Sequence, residues 1–245
     1  EASVAVSGST EAFDYALSLS GETSDGVSAV LPGDLFGVYN PDDDGFSRYG
    51  LSLAGGYSWQ KGQRIGLSYS ASRLRSQFDS AEYPPPNFAP DASPDFRNRL
   101  TTQLTTLQYQ GTLSSEWANL LRASYQTDQL QSGANVVSRY DTTRRQLTAQ
   151  TTWAPSAQHQ WVAAVDLLTE SIHSSDYQAP ERDNTGLIVG YTGRFGAQKL
   201  QADLRWDHNS VYQNQTTGKL GWGMDLSESW SVRAVAGTAF RAPTF

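Results

Sequence analysis

The chain has 245 residues, with 18 Lys plus Arg against 25 Asp plus Glu, a formal charge of −7, and only 38% hydrophobic and 18% charged residues, below the roughly 45–50% and about 25% of ordinary soluble domains. Without Cys there is no disulfide framework, thiolate zinc site or cysteine nucleophile, and an acidic chain lacking a long basic run is a poor nucleic-acid binder. The 7 Trp, 12 Tyr and 9 Phe argue against disorder, and no apolar run approaches the roughly 18 residues of a membrane helix, so any membrane character must be hidden in alternation.

Alternation is the dominant signal along the chain. A weak first strand is predicted over 3–7, followed by one with Phe13, Tyr15, Leu17 and Leu19 on a single face. From 49 to 59 the odd positions are Tyr49, Leu51, Leu53, Gly55, Tyr57 and Trp59, while the even ones are Gly50, Ser52, Ala54, Gly56 and Ser58. Side chains alternate across a strand, so such a segment is a strand with one apolar face. Ile65, Leu67, Tyr69 and Ala71 repeat the pattern. Over 100–113 Leu104 and Leu107 differ in parity, which suggests a β-bulge. Alternation returns at Trp117, Leu121, Ala123 and Tyr125, then at Leu147, Ala149 and Trp153, then at Trp161, Ala163, Val165 and Leu167. It continues through Leu187, Val189, Tyr191 and Phe195; Leu200, Leu204 and Trp206; Leu220, Trp222, Met224 and Leu226; and Trp230, Val232, Ala234 and Phe240. This gives about twelve strands and no helical periodicity.

The opposite faces carry Asp14, Arg64, Arg122, Gln146, Gln150, Asp166, Arg194, Asp203, Arg205, Asp225 and Arg233, separated by small residues. A soluble β-sandwich accounts for each strand singly, because one apolar face can pack on another. An antiparallel transmembrane β-barrel accounts for more: lipid-facing apolar residues, a polar lumen, and aromatic girdles at strand ends such as Tyr49, Trp59, Trp117, Trp153, Trp161, Trp206 and Trp230. Short connections near 61–63, 114–116, 156–160, 196–199 and 227–229 take turns with long ones near 24–46, 76–99, 129–142, 171–183 and 209–218. In outer-membrane barrels the short turns are periplasmic and the long loops extracellular, so the last strand runs outward.

The first two long loops are acidic. Asp25, Asp42, Asp43, Asp44, Asp79, Glu82, Asp91 and Asp95 fall there, a supply of hard oxygens suited to Ca²⁺, with a solvated acidic rim as the alternative. No EF-hand pattern follows Asp42. The His-x-Ser spacing of His208 and Ser210 partly resembles that of the twelve-stranded outer-membrane phospholipase. The Asn-Gly that follows the serine in that family is replaced here by Val211-Tyr212, so an enzyme is a minor alternative.

The most specific motif lies at the end of the chain. Gly237-Thr238-Ala239-Phe240-Arg241-Ala242-Pro243-Thr244 resembles the G-x-x-[FY]-[RK]-A-P-[STN] segment of TonB-dependent outer-membrane receptors, where it closes an outward strand. Phe240 would finish the apolar face, and Pro243 cannot continue a ladder. Within that family the chain is similar to the cobalamin receptors. Asp42-Asp43-Asp44-Gly45-Phe46 resembles their D-N-D-G-F segment, and Asp25-Gly26-Val27 their first long loop. Phe78-Asp79, Asp95-Phe96-Arg97 and Arg182-Asp183-Asn184-Thr185-Gly186 match further positions. The resemblance implies calcium held by Asp25, Asp42, Asp44, Asp79 and Asp95, ordering loops that capture cobalamin or another corrinoid.

Two further expectations follow from it. Residues 1–245 would be one part of a single barrel domain of about 22 strands, with the plug domain, the TonB-contacting segment and the C-terminal strands outside this sequence. The protein would be a non-enzymatic transporter of the Gram-negative cell outer membrane, surrounded by outer-membrane lipid and energised by TonB. A siderophore or haem receptor and a passive porin stand as alternatives.

Overall fold

The computed structural model describes residues 1–179 and 181–242. Twelve strands follow one another: β1 (Ala2–Ser9), β2 (Phe13–Ser24), β3 (Phe46–Gln60), β4 (Gln63–Gln77), β5 (Arg97–Thr112), β6 (Trp117–Gly133), β7 (Val137–Ser156), β8 (His159–Ser174), β9 (Arg182–Phe195), β10 (Gln198–Asn209), β11 (Gln213–Asp225) and β12 (Ser231–Gly237). They form one antiparallel sheet in strict sequence order, β1 to β12.

Burial excludes the sandwich. Among the described residues only Phe96 and Ala164 are buried hydrophobics, whereas Leu67 is 55% and Leu204 57% exposed. A sheet with one continuous exposed apolar face has no second sheet to cover it, and lipid is the solvent that such a face fits. The other face is polar and holds Glu170, Arg182 and Asn209 buried; it is the lumen face.

Register assigns each residue to a face. Leu107 pairs with Leu67 and points outward, while Leu104 pairs with Ser70 and points into the lumen. The predicted bulge in β5 is therefore absent: its pairing is unbroken on both sides, and the two leucines simply occupy opposite faces. The irregularities fall elsewhere, between Ser58 and Gln60 and between Trp153 and Ser156, both beside short turns. There the aromatics stack across strands, Trp117 on Trp153 at 5.7 Å, Trp59 on Tyr109 at 6.1 Å and Trp161 against Tyr191 at 4.5 Å. Each such pair contributes roughly 0.5–1.5 kcal/mol beyond its buried area.

The lumen face is knitted by arginines that reach over a glycine. Asp14 pairs with Gly56, and Arg64 of the next strand lies across that glycine to donate to Asp14 at 2.7 and 2.9 Å. A Cβ on Gly56 would overlap the Arg64 Nη2, so a larger residue would displace the guanidinium. The arrangement recurs at Gly186, which lies between Asp166 and Asp207 while Arg205 reaches both, at 3.6 and 2.6 Å. Glu170 accepts from Arg144 and, at 2.8 Å, from Arg182.

Two expectations about connections need correcting. The long segments near 129–142 and 209–218 are mostly strand: β6 runs to Gly133 and β7 starts at Val137, and β10 and β11 are separated only by residues 210–212. Polar residues above the membrane continue a hydrogen-bonded ladder as readily as apolar ones within it, so the hairpins extend outward. The last strand ends at Gly237; Thr238 adds one bond to Gly218 at 2.8 Å, and Phe240 lies past the strand. Pro243 and Thr244 of the terminal motif lie outside the described residues.

The face assignment is testable. Leu121→Arg, at the middle of the apolar band of β6, is expected to destabilise the folded barrel by about 2–4 kcal/mol, and Ser124→Arg, on the lumen face three residues on, to change it little. Urea unfolding in lipid vesicles reads both; equal costs would reverse or abolish the two faces.

Candidate functional site

The connections 25–45, 78–96, 134–136, 175–181 and 210–212 all emerge at the end opposite the short turns and are named here L1 to L5. The first three touch in sequence around the rim, and L4 and L5 are tied to the ends of neighbouring strands. Asp79 of L2 accepts from the Ser28 hydroxyl at 2.7 Å and from the Asn40 amide at 3.2 Å, both in L1. Gly37 of L1 has φ +67, and a Cβ there would meet the Pro90 ring of L2 at 2.8 Å. Only a residue that tolerates positive φ and lacks a side chain fits this contact.

L2 in turn holds L3. Glu82 accepts from the amides of Asn135 and Val136 at 2.8 and 3.0 Å and from the Asn135 side chain at 3.0 Å. The Val136 amide and the Asn135 groups hold its carboxyl below the usual glutamate value. L2 is itself a small hairpin closed by the Glu82–Asp91 bridge and anchored by Phe78 on the buried Phe96, with centroids 5.8 Å apart. L4 is tied to the start of β7 by the Arg139 amide to the Ser175 hydroxyl at 2.9 Å and by Tyr140 against Tyr177. L5 is tied to the start of β9, where Asp183 and Ser210 exchange bonds of 2.9 and 3.0 Å. Apolar side chains crown this scaffold: Leu35 is 97% exposed, with Val27, Leu31, Phe36, Phe88 and Val136 also open to solvent.

The five predicted calcium ligands are brought together unequally. Gly26, at φ +73, has the Asp44 carbonyl oxygen where a Cβ would otherwise lie, so the Asp25 and Asp44 stretches run side by side. Partial burial, reinforced by the charges of Asp79, Asp42 and Asp43, pushes the Asp44 carboxyl above its ordinary value, against a hydrogen bond from the Ala29 backbone. Asp79 and Asp42 are therefore each close enough to Asp44 to repel its charge. Asp95 is directed elsewhere: Arg97 grips it with paired bonds, two of them at 3.0 Å, and holds its carboxyl below the usual range. Among the described residues no three acidic or histidine side chains converge in ligating geometry. The donor chemistry at Asp42, Asp44 and Asp79 fits a hard divalent cation, which wants six to eight oxygens; Asp95 would have to leave Arg97 to join it.

Asp34 is the residue that the acidic-loop pattern misses. Its carboxylate accepts from the amides of Phe36, Val38 and Tyr39 at 2.8 to 3.0 Å and folds the tip of L1 around itself. Burial opposes its ionisation, but those amides outweigh it and the net shift is downward. Its separation from Asp25 and Asp42 hid this local role, which an Asp two residues before the accepted amide could have signalled.

His208 and Ser210 do not form a catalytic pair. The His208 ring is hydrogen-bonded to Asn214 at 2.6 Å, and the Ser210 hydroxyl accepts from the Asp183 amide at 3.0 Å, so the base–nucleophile contact that activation requires is missing.

A lipid-facing sheet in sequence order, a charged lumen and a rim of interlocked outer loops define an outer-membrane β-barrel of the transporting kind. The match of residues 4–245 to the model for the TonB dependent receptor-like, beta-barrel family places the chain in that family. Its members are transporters rather than enzymes and reside in the outer membrane. The vitamin B12 transporter BtuB of Photobacterium profundum is 32% identical over 71 residues, which is 29% of this chain and 12% of that protein. The siderophore receptor PirA of Pseudomonas aeruginosa superposes with a TM-score of 0.77 at 17% identity, over 99% of this chain and 39% of that one. The Serratia marcescens hemophore receptor HasR superposes at 0.72 and 15%, over 98% and 43%. The chain thus spans well under half the length of these receptors, and at such identities the overlays show the fold alone.

Glu82→Ala is expected to speed hydrogen exchange at the Asn135 and Val136 amides while Asn119, within the β5–β6 ladder, stays protected. Because the folded pKa of Glu82 is depressed, its contribution is complete above the ordinary glutamate value and is lost as pH falls through the lowered one. Exchange at those two amides that is insensitive to the substitution would remove Glu82 from the rim.

Proposed function

We propose that this barrel wall belongs to a receptor that captures cobalamin or a related corrinoid at its outer loops and passes it inward with energy from TonB. The observation that carries the substrate reading is the 32% identity with a vitamin B12 transporter. It is supported by the crowding of Asp42, Asp44 and Asp79 at L1 and L2. Calcium would neutralise these carboxylates and tighten L1 against L2, adding to the Ser28–Asp79 bond already there. The exposed apolar tips of L1 would then meet the ligand. The plug and the TonB contact lie outside this sequence.

The sheet supports the idea that the wall is larger than twelve strands. Among the described residues β1 pairs only with β2, and β12 only with β11. A strand edge left open in lipid costs several kcal/mol per unsatisfied group, so further strands would complete the barrel. A siderophore receptor has the same architecture, but its likeness here is one of fold.

Cyanocobalamin is expected to bind the complete receptor, to bind more tightly with calcium, and to lose that calcium effect in Asp42→Ala plus Asp44→Ala. Calcium competes with protons at Asp44, whose pKa is raised by burial and neighbouring carboxylates. The calcium effect should therefore fade as pH falls, beginning above the ordinary aspartate value. Isothermal titration with and without calcium, alongside a ferric siderophore, checks this; tighter binding of the siderophore would sink the corrinoid reading, and a calcium effect that survives the double substitution would sink the metal assignment.

A further inference from the structure

Among the described residues only four polar or charged side chains are buried: Gln63, Glu170, Arg182 and Asn209. The last three meet beneath L5. A buried charge or carboxamide is costly unless its bonds are supplied, and a single sheet has little material with which to bury one. Their partners show what this burial serves.

Two lines of side chains run along the lumen face and converge on the turn 210–212. The first is ionic. Glu170 on β8 accepts from the Arg144 Nε on β7 at 2.8 Å and from the Arg182 Nη2 on β9 at 2.8 Å, and both arginines are its direct cross-strand partners. The Arg182 guanidinium lies over the Tyr212 ring, 5.8 Å from its centroid, within the range of a cation–π contact. The second line starts deeper. Asp166 accepts from Gln146 at 2.8 Å and from Thr148 at 2.7 Å and pairs with Arg205 at 3.6 Å. Arg205 donates to Asp207 at 2.7 Å, and Asp207 also accepts from Asn184 at 2.8 Å. Asn184 is the cross-strand partner of Asn209, whose carboxamide oxygen accepts from the amides of Val211 and Tyr212 at 2.9 and 3.0 Å. With the bonds between Ser210 and Asp183, each residue of L5 is held by a group on β9 or β10.

We propose that L5 is a strap latched from the lumen: Glu170 holds Arg182 beneath Tyr212, and loss of that hold frees the turn at the outer surface. The two arginines on Glu170 differ in a way that decides where the effect goes. The Arg144 side chain is 49% exposed and the Arg182 side chain 7%. When Glu170 lets go, Arg144 rehydrates where it stands. Arg182 is left as a buried guanidinium short of a carboxylate, a state that costs more than the bond itself. It must move towards water, and the ring of Tyr212 loses the cation it rests on. A change of charge on the lumen wall is thereby read out at an outer loop, independently of which ligand is transported.

Hydrogen exchange of the complete receptor in detergent, followed by mass spectrometry at the Val211 and Tyr212 amides, tests the latch. Glu170→Gln is expected to speed exchange at both amides about tenfold or more, with heat-modifiable migration unchanged. Tyr212→Leu, which lies in the turn and leaves the wall intact, should give a similar acceleration. Glu170→Gln added to Tyr212→Leu should then change exchange little further, because the latch has nothing left to hold. Arg122→Gln, on the same face of β6 but donating to Gln108 at 3.0 Å, should have no effect. Unchanged exchange in Tyr212→Leu would overturn the proposal without reliance on any change to the wall. Unchanged exchange in a folded Glu170→Gln receptor would overturn it too. So would fully additive accelerations in the double variant, or an Arg122→Gln effect as large as that of Glu170→Gln, which would show general loosening of the wall.

Discussion

A backbone that crosses lipid must satisfy its own N–H and C=O groups, because nothing in the hydrocarbon can. In this protein that requirement is met by neighbouring strands. From Gln63↔Gly111 to Gln77↔Arg97, and likewise across most other pairs, the ladder has no interruption. Such a ladder leaves each side chain only two directions. Faces, girdles, lumen chemistry and the height at which loops emerge all follow from where each residue falls in that register. The absence of a bulge in β5 shows how strong the constraint is: Leu104 turns into the lumen beside Ser70 and Gln126 rather than break the pairing.

Charge is then distributed by what each face meets. In the lumen, arginines lie over Gly56 and Gly186 to reach carboxylates two strands away. These ties cross a strand that itself contributes no side chain, so they tether next-nearest neighbours and stiffen the wall beyond its backbone ladder. They are partly solvated, and each is worth little alone; their effect comes from repetition. On the lipid-side parity Arg97 is held by Asp95, while Arg75 and Arg99 stand opposite each other above the apolar band.

The loops use a third arrangement. Backbone amides, more than cations, satisfy their acids: Asp34 closes the tip of L1, and Glu82 holds the L3 hairpin. Contacts run from L1 through L2 to L3, so a change at one of these loops is mechanically linked to its neighbours. Asp44 differs because the charges of Asp79, Asp42 and Asp43 crowd it. Exposed apolar tips on loops held to one another agree with membership of a transport family.

Much of the barrel was legible in the linear pattern because period two reports directly on faces. Phe13 to Leu19, Tyr49 to Trp59 and Trp161 to Leu167 all lie on the strands and the face that their alternation predicts. Loop length was less legible: residues 129–142 look like a loop because they are polar, yet most of them pair, since outside the membrane a ladder no longer needs an apolar face. The acidic loops could be found, but not their partners. The grip of Arg97 on Asp95, the bond of Asp79 to Ser28 across 51 positions, and the hold of Glu82 on Asn135 across 53 depend on which loops fold over which. By itself, then, the sequence determined an all-β membrane wall, its two faces and its acidic rim, because those depend on local alternation and composition. Only the tertiary structure decided which carboxylates are gripped by arginines or amides and which crowd one another, because electrostatic pairing depends on distances between strands and loops far apart in the chain.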